Sequence, residues 1–234
     1  MVSDVPLASP TWAVVPVKSL ADAKTRLSPV LSPDERRCLF ALMLEDLLTA
    51  LTAARGLAGI LLVTGDTEAT ALARRFGARV LAETAGRGQS AAVATAAEAL
   101  GETGTAAMLA LPGDVPLTTA AEIETLLAAH GTAPAVSIVP AADGHGTNGL
   151  LCSPPGIIPF HFGDDSFAPH RDAARRQGIE PAVLKLPGLG LDIDRPRDLV
   201  ELLKRPHRTG TQAWLATSGI ARRLRDAAQS QSAQ

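Results

Sequence analysis

"WAVVPVKSLADAKTRLSPVLSPDE", residues 12–35, runs through three kinds of segment in one stretch. Residues 12–17 are apolar without polar alternation, as a strand covered on both faces requires. A polar loop follows. Ser32, Pro33 and Glu35 then carry three helix-start signals: a capping hydroxyl, a proline in the first turn and the acid of a capping box. Leu39, Met43, Leu47 and Leu51 recur every four residues, with Phe40, Leu44 and Leu48 beside them, so the helix is expected to be well buried.

The same succession repeats down the chain. Strands are predicted at 59–64, a weaker one at 78–82, then 105–111, 134–140, 148–153 and 181–186. Between them fall a helix capped by Asp66, an alanine-rich helix over 90–100, a helix opened by Thr119 and Glu122 and running to about His130, and "FAPHRDAARRQG" with Gly178 as its stop. "PRDLVELLK" (196–204) is the helix after the last strand. Strands alternating with helices predict an α/β fold: a three-layer, doubly wound, mainly parallel sheet. In such sheets ligands bind beyond the carboxyl ends of the strands, so chemistry is sought there.

Bulk properties narrow the function classes. The 234 residues are 46% hydrophobic, enough for a full core, and the net charge is −2, which argues against a nucleic-acid coat or a polybasic membrane anchor. Two Trp, five Phe and no Tyr leave no platform for stacking bases. Cys38 and Cys152 are far apart and outside any CxxC pair, and read as reduced core residues. No apolar run has the length of a membrane span, and the opening "MVSDVPLASPTW" lacks the basic-then-apolar pattern of a secretory signal, so a cytoplasmic location is expected.

Three strand ends carry candidate chemistry. After the first strand come Lys18, Lys24 and Arg26, three cations that could hold a polyphosphate or be a solvated loop. The segment has no glycine and no GK[ST] ending, so it is not a P-loop. After 105–111, "PGDVPL" places Asp114 just past the sheet, either facing a ligand or bonded to its own turn. In "LGLDIDRPRDL" (189–199), Asp192 and Asp194 flank Ile193, so an extended backbone puts both carboxylates on one face. Asp194 could instead favour the positive end of the following helix. Three carboxylates without a His/Cys cluster suit a hard divalent cation, magnesium rather than zinc. Two further loops, "DGHGTNG" (143–149) and "FGDDSFAPH" (162–170), could wrap a small anion with Thr147, Ser166 and backbone N–H groups, or Ser166 could cap the next helix. His145, His161 and His170 read as polar-loop residues.

"VPVKSLADAKTRL", "LPGDVPL", "GTNGLL", "FGDDSFAPH" and "LDIDRPRDL", in this order, resemble the 2-phospholactate guanylyltransferase family of the CofC/FbiD type, which acts in making coenzyme F-420. The resemblance covers roughly residues 11–204. It implies the nucleotide-diphospho-sugar transferase fold, a Rossmann-like architecture, with "VPVKSL" where the wider superfamily has "LAGG". It divides the chain into an N-terminal extension (1–10), a nucleotidyltransferase domain (11–204) and a C-terminal linker, helix and polar tail (205–234). It implies that Lys18, Lys24 and Arg26 line the pocket for the GTP phosphates and the acceptor. Asp114, Asp192 and Asp194 would hold magnesium. Thr147, Gly163 and Ser166 would bind the phosphorylated acid, with Asn148 beside them. Where relatives carry Gly-Leu-Asn near the nucleotide, this chain reads "GRGQSAA" (86–92), which leaves Gln89 or Ser90 for that place.

The implied reaction moves GMP from GTP onto the phosphate of 2-phospho-L-lactate, phosphoenolpyruvate or 3-phospho-D-glycerate and releases pyrophosphate. A phosphate monoester is mostly a dianion at neutral pH, so no strong base is needed, in keeping with the lack of a Ser-His-Asp or Cys-His arrangement. Another nucleotidyltransferase or glycosyltransferase on the same fold, and a non-catalytic nucleotide-binding module, are the competing readings. The helix near residues 213–228 could pair with a second copy, and the product could be handed to a downstream transferase.

Overall fold

In the computed structural model, which describes residues 11–83, 88–206 and 209–225, seven strands form one sheet. The elements run β1 (Thr11–Pro16), α1 (Pro33–Ala53), β2 (Leu57–Thr64), α2 (Thr67–Arg75), β3 (Arg79–Ala82), α3 (Gly88–Glu102), β4 (Ala107–Ala110), α4 (Ala120–Ala129), β5 (Ala135–Pro140), β6 (Thr147–Ser153), α5 (Phe167–Arg176), β7 (Ala182–Val183), α6 (Pro196–Lys204) and α7 (Gly210–Thr217). The strand order is β3-β2-β1-β4-β6-β5-β7. Every pairing is parallel except those of β6, which runs antiparallel to β4 and β5. The predicted residues 1–10, the start of "GRGQSAA", part of the linker and the polar tail lie outside the described residues.

Local chemistry accounts for the helix starts. The Glu35 N–H donates to Ser32 Oγ at 3.3 Å and the Ser32 N–H to Glu35 Oε2 at 2.8 Å, the reciprocal box expected from the sequence. Thr119 and Glu122 do the same for α4. Asp66 accepts from the Glu68 and Ala69 N–H groups through Oδ1, while Oδ2 accepts from the Leu20 N–H at 2.9 Å. One carboxylate thus starts α2 and pins the loop after β1.

The central strands β1, β4, β5 and β6 are buried on both faces, as their unbroken apolar runs imply, while the edge strands β3 and β7 are partly exposed. Ala13 and Val15 of β1 join the main core with Leu39, Met43, Leu47 and Leu51 of α1; Val14 between them faces the other way, onto Val93 and Ala96 of α3. A third cluster sets α5 against β5 and β6. β7 is shorter than the predicted 181–186, because only Ala182 and Val183 find a partner strand. Cys38 is exposed on α1 rather than in the core, Cys152 is buried in β6, and both are free thiols.

The C-terminal segment packs on its own chain. Leu215 of α7, Ile220 and Leu224 are buried in the main core. Asp46 of α1 accepts from the Gly210 and Thr211 N–H groups at 2.8 and 2.9 Å, which caps α7. Leu215, Ile220 and Leu224 thus serve the core of their own chain.

Because β6 runs against its neighbours, its first residues share an edge with the last residues of β1, β4 and β5. The loop 186–194 reaches that edge too. Its Gly188 N–H donates to Glu122 Oε1 at 2.7 Å, and a Cβ there would collide with the Leu117 carbonyl, so the approach needs glycine.

Leu47 is fully buried on α1. Leu47→Ala should lower the unfolding free energy by about 2–5 kcal/mol, read from the urea midpoint at unchanged slope.

Candidate active site

One ammonium joins three loops. Lys24, in the loop after β1, lies against Asp114, just past β4, and 2.6 Å from Asp194 Oδ1, just before α6. Its side chain is only 6% exposed, and the Phe40 ring lies 5.8 Å below the ammonium. Among the described residues Lys24 is the one non-glycine with positive φ (φ 59°, ψ 36°). A left-handed backbone costs an L-residue about 1–2 kcal/mol, and such strain persists where the surroundings over-determine it. Burial disfavours this charge, but the carboxylates of Asp114 and Asp194 outweigh it and hold the lysine pKa above its ordinary value. Arg26 stands at the rim, 2.8 Å from Asp164 and 3.3 Å from Asp194. Burial alone would raise the Asp194 pKa; Lys24 and Arg26 bring it below the usual carboxylate value.

Asp192 and Asp194 share a face, as the extended reading required. Ile193 between them is fully buried, and its N–H donates to the Asp114 carbonyl at 3.1 Å, which ties the loop to the end of β4. The place expected for Asp194 at the helix entrance belongs to Asp198, whose Oδ2 accepts from the Asp194 and Arg195 N–H groups at 3.0 and 2.7 Å. Asp192 turns to Asn148, whose amide nitrogen lies 3.0 Å from Asp192 Oδ1 and also reaches the Leu189 and Gly190 carbonyls. Asn148 thus positions the acid rather than reaching freely into the pocket. Burial, and then the charges of Asp114 and Asp194 against the relief from Asn148, push the Asp192 pKa up.

The three carboxylates expected to hold magnesium do share this edge, but not as a ready ligand set. Among the described residues no group of three or more His, Cys, Asp or Glu has a metal-holding arrangement. The physical reason is Lys24, whose ammonium engages Asp114 and Asp194. The donor chemistry still suits a hard cation. Among the described residues Asp114 Oδ1 is buried without a hydrogen-bond partner, and no ammonium or guanidinium pairs with Asp192, whose pKa the carboxylates of Asp114 and Asp194 help to raise.

Two cavities meet here. One, of about 370 Å³, is lined by Thr147, Asn148, Gly163, Ser166, Asp192 and Asp194. The other, of about 500 Å³, is lined by Lys18, Ser19, Lys24, Glu83 and Phe40. Gln89, Pro112 and Asp114 border both. The sequence-predicted residues therefore divide: Lys18 and Lys24 on one side, Arg26, Thr147, Gly163 and Ser166 on the other, and Gln89 and Asp114 at the junction. Ser90, expected beside the nucleotide, instead accepts the Phe162 N–H at 2.8 Å and holds the loop before Gly163. Ser166 stands at the N-terminus of α5 without capping it through its side chain, and its buried Oγ has no partner among the described residues.

Sequence reasoning missed Arg195 and Arg197, which line the first cavity and were visible only as the "RPR" of "DIDRPRDL". It also placed His170 in a polar loop. The residue is fully buried on the inner face of α5, the helix already expected at "FAPH", with its ring between Thr147 and the His161 backbone.

Residues 11–232 match the family model "Guanylyl transferase CofC like". The chain belongs to this family. Over 191 residues it is 41% identical to a phosphoenolpyruvate guanylyltransferase of Rubrobacter xylanophilus, covering 82% of this chain and 92% of that one. It is 38% identical over 193 residues to a 3-phospho-D-glycerate guanylyltransferase of Colwellia psychrerythraea (82% and 90% covered). It is 35% identical over 203 residues to a 2-phospho-L-lactate guanylyltransferase of Methanothermobacter thermautotrophicus (87% of each). Among solved structures, a protein of Desulfovibrio desulfuricans G20, provisionally named a nucleotide-diphospho-sugar transferase, superposes with a TM-score of 0.75 at 20% identity over 93% of this chain and 98% of that one. A 4-diphosphocytidyl-2C-methyl-D-erythritol synthase gives 0.58 at 15% identity, over 83% and 97%. These two likenesses establish the nucleotide-diphospho-sugar transferase fold of this CofC-like chain.

Lys24→Met should leave Asp114 and Asp194 facing one another and cost about 2–3 kcal/mol in urea unfolding at pH 7, with Asp114→Asn in the same chain recovering part of it. A Lys24→Met protein as stable as wild type would contradict the role given to the ammonium.

Stability should also fall in acid. Burial, and then the charge of His161, lower the His170 pKa to about 4, and burial lowers that of His130. The unfolded chain protonates first, so this stability is complete above pH ~6.5 and disappears as pH falls toward 4, a loss on the order of 3 kcal/mol for His170. Urea unfolding across that window should show the slope in wild type and a flatter one in His170→Asn.

Proposed function

We propose that this CofC-like chain transfers GMP from GTP to the phosphate of a phosphorylated three-carbon acid and releases pyrophosphate. The observation that carries the reading is the pair of cavities meeting at Asp114, one bordered by Lys18 and Lys24, the other by the hydroxyls of Thr147 and Ser166. Two anionic substrates held on either side of one carboxylate would meet end to end.

An oxygen of the acceptor's phosphate forms a new bond to the α-phosphorus of GTP. The bond from that phosphorus to the bridging oxygen of the β-phosphate breaks, and pyrophosphate leaves with its electron pair. The acceptor monoester has its second pKa near ~6, so the nucleophile needs no base. Alignment and charge neutralisation are what the site must supply. Lys18 would face the triphosphate, and Arg26, Arg195 and Arg197 the acid. Those three guanidiniums stand among six carboxylates on the acceptor side: Asp114, Asp143, Asp164, Asp192, Asp194 and Asp198. An anionic acid therefore needs added positive charge to enter. Asp114, Asp192 and Asp194 would hold a magnesium ion, which when bound supplies that charge and screens the two phosphates from one another.

The relatives are named for three different acids: four named for phosphoenolpyruvate are 39–41% identical and a fifth 37%, two named for 3-phospho-D-glycerate are 38%, and one named for 2-phospho-L-lactate is 35%. Phosphoenolpyruvate is accordingly the first to test. The product, a nucleotide-linked diphosphate with a reactive anhydride bond, would suit handover to a downstream transferase, and the reading makes the reaction a cytoplasmic step in coenzyme F-420 biosynthesis. No helix of the described residues is long and apolar enough to cross a membrane.

The purified chain with GTP, magnesium and each acid in turn should release pyrophosphate, with phosphoenolpyruvate the best acceptor. Asp192→Asn keeps an oxygen for Asn148 and removes only charge, so it should fold normally and lose about 100-fold or more in turnover. Full activity of that variant without added metal would exclude the metal site.

A further inference from the structure

His170 is a buried residue for which the proposed reaction has no use. It is fully enclosed between α5, the start of β6 and the loop before Gly163. Its Nε2 lies 2.9 Å from the backbone nitrogen of His161. A backbone N–H can only donate, so Nε2 accepts and carries no proton. The proton of a neutral imidazole must then sit on Nδ1, and Nδ1 lies 3.0 Å from Thr147 Oγ1. The ring is neutral at working pH, since burial and then the charge of His161 lower its pKa to about 4.

The direction of that bond matters. Nδ1–H donates and the Thr147 oxygen accepts, so the Thr147 hydroxyl proton is left for a different acceptor. Thr147 is buried and borders the acceptor cavity, as does Ser166, whose Oγ has no partner among the described residues. The cavity wall thus offers two hydroxyl donors, which suits an anionic oxygen rather than an ammonium. The same ring holds a second wall. Its Nε2 fixes the His161 backbone, its edge meets the Phe162 ring at 4.9 Å, and Ser90 accepts the Phe162 N–H from the other side. Gly163 follows directly.

We propose that His170, as the Nδ1–H tautomer, is a positioning residue for the acid substrate: it fixes the Thr147 hydroxyl as a donor into the acceptor cavity and anchors the backbone leading to Gly163. The inference rests on the reading of that cavity as the acid's site. It predicts that His170 governs the acid and not the nucleotide.

The test combines kinetics with nitrogen NMR of the full chain. His170→Ala should raise KM for phosphoenolpyruvate about 10-fold or more, the effect of losing an oriented bond to an anion, while KM for GTP stays within about twofold. In His170→Asn the amide nitrogen takes the place of Nδ1 and should recover most of the loss; His170→Gln reaches only the Nε2 position and should not. In wild type, the ¹⁵N shifts should show Nδ1 protonated and Nε2 bare, without titration between pH 6 and 8. Should His170→Ala fail to fold, the Asn and Gln variants and the wild-type spectrum decide. A proton on Nε2, or equal changes in both KM values, would overturn the positioning role. An enzyme that releases no pyrophosphate with any of the three acids sinks the proposed reaction instead, and the tautomer still decides how Thr147 is held.

Discussion

The buried ammonium of Lys24 is what allows three aspartates, one just past β4 and two in the loop before α6, to share one edge of the sheet. Asp114, Asp192 and Asp194 come from segments some eighty residues apart, and like charges that close repel unless a cation lies among them. Lys24 engages two of the three, in a left-handed backbone that few non-glycine residues adopt. Around this contact the loop after β1, the end of β4 and the segment before α6 take fixed places. A lysine so held is also a movable charge: a divalent cation on the same carboxylates would have to compete with it, and the phosphates of a nucleotide could draw it away.

What the residues disclosed in advance was whatever local chemistry decides. The capping boxes of Ser32 and Thr119, the Asp66 cap and the apolar runs of β1, β2, β5 and β6 are short-range signals, and the structure forms each of them. The shared face of Asp192 and Asp194 followed from extended geometry alone. What stayed hidden depends on partners distant in sequence. Nothing near Lys24 announces a pairing with Asp194, 170 positions later. Nothing near Ser90 shows that its hydroxyl holds Phe162, and nothing near Asn148 shows that it supports Asp192. Helix onset misled as well: Asp194 looked like the acid at the start of α6 until Asp198, one turn on, proved to accept those N–H groups.

The reversed direction of β6 has the largest consequence for function. A wholly parallel sheet offers only strand ends at its binding edge. Here Thr147 and Asn148, the first residues of a strand, stand at that edge, and the hairpin 141–146 before them closes the cavity. Their side chains sit on regular structure and are held by His170 and by the Leu189 and Gly190 carbonyls. Precision of this kind suits a reaction whose barrier is lowered by alignment rather than by acid–base chemistry. An abundance of carboxylates with few cations, hostile to anions by itself, becomes sensible if added positive charge accompanies the substrates.

The central claim is that the acid's own phosphate oxygen attacks the α-phosphorus of GTP. It is tested most directly by phosphoenolpyruvate carrying ¹⁸O in its non-bridging phosphate oxygens, incubated with the chain, GTP and magnesium, with both products weighed by mass spectrometry. The released pyrophosphate should have natural mass, and the guanosine-side phosphorus of the product should carry one labelled bridging oxygen, seen as an isotope shift of its ³¹P signal. A guanosine-side phosphorus without label would mean that another oxygen of the acid had attacked. That result, label in the pyrophosphate, or a product formed with loss of label as inorganic phosphate would contradict the claim.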